Sequence, residues 1–185
     1  LMTTHEYGIS ELTWKYNHGT WWAVTASSMA GLTDNKEVKK LCVDRFKNIL
    51  LPNQMGNDGS FPLGLKRTKP YGYSLFNIDA FFNLAQILYS VEDNLFEYET
   101  KDGKSIKKGL EFIYPYIKEK SEWPYEKDIY IWNEWPVCHP ALLFGALAYG
   151  NLNYLESYLK LPKYPSHSEV VRNLPVRHPL IWILN

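Results

Sequence analysis

The sequence has few of the features that mark disulfide-bonded, membrane-spanning or nucleic-acid-binding proteins. Its 185 residues include two cysteines, Cys42 and Cys138, too few and too far apart for a disulfide framework or a thiolate metal site, so buried thiols are expected. No run of about 18 apolar residues occurs, which excludes a membrane span. Lysine plus arginine equals aspartate plus glutamate at 20 each, which argues against a generally basic surface for nucleic acid. Any bound anion must therefore be held locally.

Strand patterns and regular repeats are also missing. No constant sequence period occurs, which disfavours a regular solenoid. Apolar helices are predicted instead over 20–31 and 74–90, and amphipathic ones over 36–51 and 104–120. This alternation predicts an all-α array of helical hairpins, either an open solenoid or a closed (α/α) toroid.

Several connections are expected to be irregular. Residues 9–14 show no amphipathic pattern long enough to predict a helix. The proline-rich tail over 162–179 is expected to be extended. Glycine and proline interrupt residues 53–73, which predicts a long ordered loop. Loops of that length in compact domains are usually functional.

Aromatic residues are abundant, at 16% of the chain with seven tryptophans and fourteen tyrosines. Such side chains commonly line sugar-binding clefts, because their faces pack on a pyranose ring while their polar edges bind hydroxyls. Aromatic side chains also pack between helices. For any single aromatic residue, the sequence leaves both roles possible.

Polar groups suited to chemistry are concentrated in two stretches. Residues 16–22 read Tyr-Asn-His-Gly-Thr-Trp-Trp, and residues 66–73 read Lys-Arg-Thr-Lys-Pro-Tyr-Gly-Tyr. An amide, an imidazole, a guanidinium and two phenols in these stretches indicate a polyanion site. Structural alternatives are a helix cap with a surface histidine at 17–18 and a solvated basic cluster at 66–69.

The same stretches resemble the alginate lyase superfamily. Asn-His-Gly-Thr-Trp at 17–21 and Arg-Thr-Lys-Pro-Tyr-Gly-Tyr at 67–73 carry the resemblance, with further similarity at 132–136 and 173–179. The better match is to the branch of glucuronan and alginate lyases with an (α/α) toroid. The resemblance implies that residues 1–185 form the C-terminal part of one catalytic domain, completed by an N-terminal half.

The resemblance also implies a function. It implies a polysaccharide lyase acting without cofactor or metal on an anionic polysaccharide, with no nucleic-acid or membrane partner. An extracellular or periplasmic setting follows from that substrate class.

The family's catalytic set of an Asn-His pair, an arginine and a tyrosine falls on Asn17, His18, Arg67 and Tyr73. Tyr16 stands where family members often have a second asparagine, and Tyr71 is close enough to Tyr73 to compete as the catalytic phenol. The spacing of six from Arg67 to Tyr73 favours the glucuronan branch.

β-Elimination from a uronate needs a neutralised C6 carboxylate, a base for the C5 proton and an acid for O4. Asn17, His18 and Arg67 suit the first task. Tyr73 suits the other two if a cation favours its phenolate. One tyrosine can serve both steps in β-linked glucuronate and mannuronate, where elimination is syn. Guluronate needs a separate base, for which His18 is the candidate.

Further sugar contacts are predicted at Trp21, Lys69, Tyr71 and Trp135. Two other functions remain open from the sequence. An inverting glycoside hydrolase would use Asp58 and Glu134, although Asp58 also suits a turn and Glu134 a salt bridge or a helix cap. A non-catalytic carbohydrate-binding protein would use the aromatic loops alone. His139 and His178, each followed by proline, are expected to be structural, and no metal site is predicted.

Overall fold

All regular secondary structure in the described part of the chain is helical. The structure is a computed structural model and describes residues 2–174 and 176–183. No strand occurs in those ranges, which confirms the all-α prediction. The α-helices are α1 (Glu6–Thr13), α2 (Asn17–Leu32), α3 (Lys36–Arg45), α4 (Leu51–Gln54), α5 (Pro62–Leu65), α6 (Pro70–Leu88), α7 (Ile106–Lys118), α8 (Pro140–Tyr149), α9 (Leu152–Lys160) and α10 (Ser168–Arg172).

The apolar helices α2, α6 and α8 form the centre of the fold. Helix α6 packs against both α2 and α8, and all three bury side chains around most of their circumference. The helices α3, α7 and α9 each pack against the apolar helix that precedes them. Helices α7 and α9 carry an apolar face opposite a charged one, as expected for the outer member of a hairpin. The predicted alternation of apolar and amphipathic helices is confirmed.

The prediction of a loop over residues 53–73 is wrong in part. Helix α5 lies within this range, and α6 begins at Pro70. Proline at the first helical position has no N–H to leave unpaired and already has a helical φ angle, so Pro62 and Pro70 start helices. Tyr71 and Tyr73 therefore lie in the first turn of α6.

Proline also fails to stop the helix that begins at Lys36. After α3 the chain makes a π-helical turn over Phe46–Leu50 and continues into α4. Pro52 is the second residue of α4. Asn35 caps the start of α3, since its side chain accepts the N–H of Val38 at 3.0 Å.

Two short helices were not predicted. Helix α1 has no fully buried residue, so its sequence carries no long apolar face. Helix α10 has five residues and lies in the tail expected to be extended. Each is capped by the histidine that precedes it, His5 or His167, whose ring accepts a backbone N–H two residues later. Pro175 of the same tail lies outside the described residues.

The two cysteines do not form a disulfide. Cys42 and Cys138 are buried free thiols, as expected. No helix among residues 2–174 and 176–183 combines the length and the apolar character needed to cross a bilayer.

Candidate functional site

A cavity of about 610 Å³ opens beside the N-terminal ends of α2 and α6. Its wall is formed by α1, the first half of α2, the start of α6, residues 131 and 135 of the segment between α7 and α8, and α10. The predicted site residues that line it are Asn17, His18, Trp21, Lys69, Tyr73 and Trp135. Two stretches about fifty residues apart in sequence thus meet at one cavity because α2 packs against α6.

Arg67 joins this group through Tyr73. Its Nη2 lies 3.1 Å from the phenol oxygen of Tyr73, and its guanidinium carbon lies 4.5 Å from the centre of the same ring. A cation at hydrogen-bonding distance from a phenol oxygen stabilises negative charge on that oxygen. The pair is exposed enough for a ligand to reach it.

Asn17 and His18 occupy the first turn of α2. The side chain of Asn17 is buried, whereas His18 is exposed and stacks on Trp14 with 5.2 Å between ring centres. The Nδ1 atom of His18 lies 2.7 Å from Oε2 of Glu11 in α1. The sequence contained no signal for Glu11, because α1 was not predicted.

Tyr16 contacts the first turn of α6 and stabilises it. Its hydroxyl donates to the backbone carbonyl of Tyr73 at 3.1 Å, and the two rings meet edge to face. Burial raises the pKa of Tyr16, which keeps its phenol neutral. A tyrosine at this position therefore holds Tyr73 in place instead of facing a ligand.

Tyr71 lies in the core and not at the cavity. Its side chain is 0% exposed, and it packs against Trp123 and Trp132. The hydroxyl donates to the carbonyl of Tyr116 at 3.0 Å, and burial raises the pKa of the phenol. This position does not fit a sugar contact, so we leave Tyr71 out of the proposed site.

Three residues that line the cavity each have a buried polar atom without a hydrogen-bond partner among the described residues. These atoms are Oδ1 of Asn17, Nε1 of Trp21 and Nε1 of Trp135. Buried polar groups are normally paired, and an unpaired one calls for a water or a ligand. One acceptor and two indole donors match the hydroxyl and carboxylate groups of a sugar acid.

A second charged group lies at the α10 side of the cavity. Lys69 donates to Glu169 at 2.7 Å, and Arg172 donates to the other oxygen of that carboxylate at 2.6 Å. The hydrogen bond from Lys69 contributes most to lowering the pKa of Glu169, which keeps it ionised. Sequence reasoning missed Glu169 and Arg172, which lie about one hundred residues after Lys69 and in no recognised pattern.

Asp128 fixes the start of α6 from a distant loop. Its two carboxylate oxygens accept the N–H groups of Tyr71 and Gly72, both at 2.9 Å. Both N–H groups belong to the first turn of α6, where backbone amides have no carbonyl partner within the helix. Burial raises the pKa of Asp128, an effect opposed by these hydrogen bonds and by Lys69 and Lys120.

Replacing Asp128 by alanine should therefore loosen the turn that carries Tyr73. We expect the free energy of unfolding to fall by about 1–3 kcal/mol, because two buried N–H groups lose their acceptor. Any activity that depends on Tyr73 should fall as well. Urea denaturation and turnover measurements would test both effects, with Glu126→Ala as the control, since Glu126 is an exposed carboxylate in the same loop. Equal stability of the two variants would contradict the capping role.

The other candidate groups lie away from the cavity. Asp58 accepts the N–H of Ser60 in a turn, and Glu134 is exposed, so the pair suggested for a hydrolase is not assembled there. His139 is buried and bonded to Asp79, which confirms its structural role. Within residues 2–174 and 176–183, no group of three or more His, Cys, Asp or Glu side chains could hold a metal ion.

Comparison with known proteins places the chain in a family. The family model described as alginate lyase matches residues 1–123, about two thirds of the chain. The chain belongs to the alginate lyase family. The match includes both stretches that carried the resemblance, and with them Asn17, His18, Arg67 and Tyr73.

A solved structure supports the same alginate lyase assignment across the full chain. The crystal structure of an alginate lyase from Bacteroides ovatus matches with a TM-score of 0.76 and 26% sequence identity. The match covers 100% of this chain and 47% of the Bacteroides protein. This alginate lyase family chain thus spans about half the length of its structural relative. A search of curated proteins found no match.

Proposed function

We propose that the protein is a polysaccharide lyase that cleaves β-1,4-linked polyuronate, either glucuronan or polymannuronate, by metal-independent syn β-elimination. The observation that carries the proposal is the contact between Arg67 and the Tyr73 phenol at a cavity that Asn17 and His18 also line. We further propose that residues 1–185 are the C-terminal part of an (α/α)-toroid domain, completed by an N-terminal half.

Carboxylate neutralisation is the first step of the proposed reaction. The C5 proton of a uronate becomes acidic when negative charge developing on C6 is stabilised. Arg67 and His18 supply positive charge or donors, and Asn17 supplies an amide on the same helical turn as His18. Charge-assisted hydrogen bonds of this kind are stronger than neutral ones.

Tyr73 carries the proton in this mechanism. Its phenolate oxygen, stabilised by Arg67, removes the C5 proton, and the electron pair of the C–H bond is delocalised onto the C6 carboxylate. This pair then forms the C4=C5 double bond as the C4–O4 bond breaks, and Tyr73 gives the proton to the departing O4. Because both events occur on one face of the sugar ring, a single phenol is sufficient for glucuronate or mannuronate.

Sugar contacts are proposed for Trp21, Trp135 and Lys69. The Nε1 atoms of the two indoles are buried and have no hydrogen-bond partner among the described residues, so a side chain must move before a sugar hydroxyl can reach them. Trp21 stacks on Phe76 with 4.8 Å between ring centres, which gives it a fixed orientation. Lys69 adds a cation whose charge is shared with Glu169. An anionic polymer as substrate leads us to propose an extracellular or periplasmic setting.

The product distinguishes elimination from other reactions. We expect incubation with glucuronan or polymannuronate, in the presence of a chelator, to give a rise in ultraviolet absorbance from the conjugated C4=C5 double bond. Polyguluronate should give much less, because its C5 hydrogen and C4 oxygen lie on opposite faces. If sugar binding is intact and no absorbance develops with any of these polymers, the lyase proposal fails for them. Binding without turnover would instead support a carbohydrate-binding protein.

A further inference from the structure

The carboxylate of Glu11 makes a direct hydrogen bond to the imidazole of His18. Oε2 of Glu11 lies 2.7 Å from Nδ1 of His18, and both side chains line the cavity. About half of each side chain is exposed, 46% for Glu11 and 49% for His18. Trp14 stacks on the His18 ring at an interplanar angle of 28°. A hydrogen bond and a stacked ring together restrict how the imidazole can rotate.

The chemistry of this contact decides which ring nitrogen is left for a ligand. An ionised carboxylate only accepts hydrogen bonds, so Nδ1 of His18 must carry the hydrogen. Nε2 is then the nitrogen that remains for another partner. Histidine ligands in metal sites are oriented in the same way by a carboxylate on the opposite nitrogen.

We propose that Glu11 is a positioning residue that holds the His18 imidazole through Nδ1–H and so presents Nε2 to the C6 carboxylate of a bound uronate. The identity of that ligand rests on the proposed function, whereas the claim that Glu11 keeps the hydrogen of His18 on Nδ1 does not. In that complex a carboxylate accepts from each side of the ring, so both nitrogens of His18 carry a hydrogen and donate. Such a histidine is not free to take the C5 proton, which restricts the enzyme to substrates that Tyr73 alone can process.

Nitrogen NMR of the histidine-labelled protein tests the positioning directly. The His18 signals are assigned by their loss in His18→Gln, at a pH where the ring is neutral. We expect Nδ1–H in the wild type and in Glu11→Gln, whose amide oxygen still accepts. Glu11→Ala should shift His18 towards the Nε2–H form that free imidazole prefers. Glu6→Ala is the matched control, because Glu6 is an exposed glutamate on the same helix and does not line the cavity.

Kinetics on a cleaved polyuronate test the consequence. We expect kcat/KM to fall by about 10- to 100-fold in Glu11→Ala, the loss typical of a hydrogen bond to a charged group. Glu11→Gln should recover part of this loss, and Glu6→Ala should match the wild type.

Two results would overturn the positioning role. One is an unchanged His18 tautomer in Glu11→Ala, and the other is equal activity of Glu11→Ala and Glu6→Ala. If no variant and no wild-type protein cleaves any polyuronate, the proposed function fails, and the NMR result alone still decides whether Glu11 positions His18.

Discussion

Tyr73→Phe is expected to lower kcat by about 10²- to 10⁴-fold, the range that a general acid–base group supplies. The change removes one oxygen and keeps the ring, so the packing against Tyr16 and under Arg67 remains. The lost hydrogen bond joins the phenol to an exposed arginine that water can solvate. Substrate binding, followed by the fluorescence of Trp21 and Trp135 in the cavity wall, should therefore change little, while product formation nearly stops.

Tyr71→Phe provides the matched control, two residues earlier on the same helical turn. It leaves the carbonyl of Tyr116 without a donor inside the core, so we expect the free energy of unfolding to fall by about 1 kcal/mol. Activity per folded molecule should be retained. The reverse pattern, with Tyr71→Phe inactive and Tyr73→Phe active, would refute the assignment of Tyr73 and require a ligand to reach the core.

The sequence was informative about the site wherever the important residues are close together in the chain. Asn17 and His18 are adjacent, and Arg67 and Tyr73 are six residues apart, so each pair is recognisable as a short motif. Helix packing then only had to bring two motifs together. The motif also contained the competing Tyr71, and only its burial in the structure separates it from Tyr73.

Residues that act through long-range contacts could not be predicted. Asp128 binds amides 56 and 57 positions away, and Glu169 binds a lysine 100 positions away. No periodicity links such pairs, because tertiary packing alone decides which loop meets which helix end. Glu11 was missed for a different reason: its helix has no fully buried residue, so hydrophobic periodicity gave no sign of it.

The effect of a proline on a helix depends on where in the helix the proline lies. Glycine and proline over residues 53–73 were interpreted as helix breakers, which is correct inside a helix. At the first position the same proline favours a helix, and Pro70 starts the longest helix of the described chain. The carboxylate that stabilises this start comes from Asp128, which no local pattern indicates. Tyr73 consequently lies in the first turn of a helix instead of in the ordered loop that was predicted.

Asp79 ties the same helix to the segment that carries Trp135. It lies six residues after Tyr73 in α6, is 2% exposed, and its Oδ2 lies 2.7 Å from Nδ1 of His139. Its Oδ1 accepts the N–H of Ala141 at 3.0 Å, in the first turn of α8. Since Nε2 of His139 accepts the N–H of Val137, the hydrogen of the imidazole must be on Nδ1. Both oxygens of Asp79 are therefore fully used as acceptors.

Asp79→Ala is accordingly expected to lower the free energy of unfolding by about 2–6 kcal/mol, because each of two buried donors loses its acceptor at a cost of about 1–3 kcal/mol. The buried donors on His139 and Ala141 would lose their acceptor together. Asp79→Asn should cost less, because its amide oxygen can still satisfy one of the two donors while its NH₂ group faces the other. Urea denaturation measures these differences through the transition midpoint.

Asp44→Ala is the appropriate reference, because Asp44 is an exposed aspartate on α3 and substitutions at such positions usually change stability by less than about 0.5 kcal/mol. We expect the loss of stability to be largest for Asp79→Ala, smaller for Asp79→Asn and smallest for Asp44→Ala. Equal midpoints for Asp79→Ala and Asp44→Ala would show that the contact between α6 and the start of α8 does not depend on this carboxylate. The segment before α8 carries Trp135. If Asp79 supports this part of the cavity wall, folded Asp79→Asn protein should also bind sugar more weakly than Asp44→Ala protein.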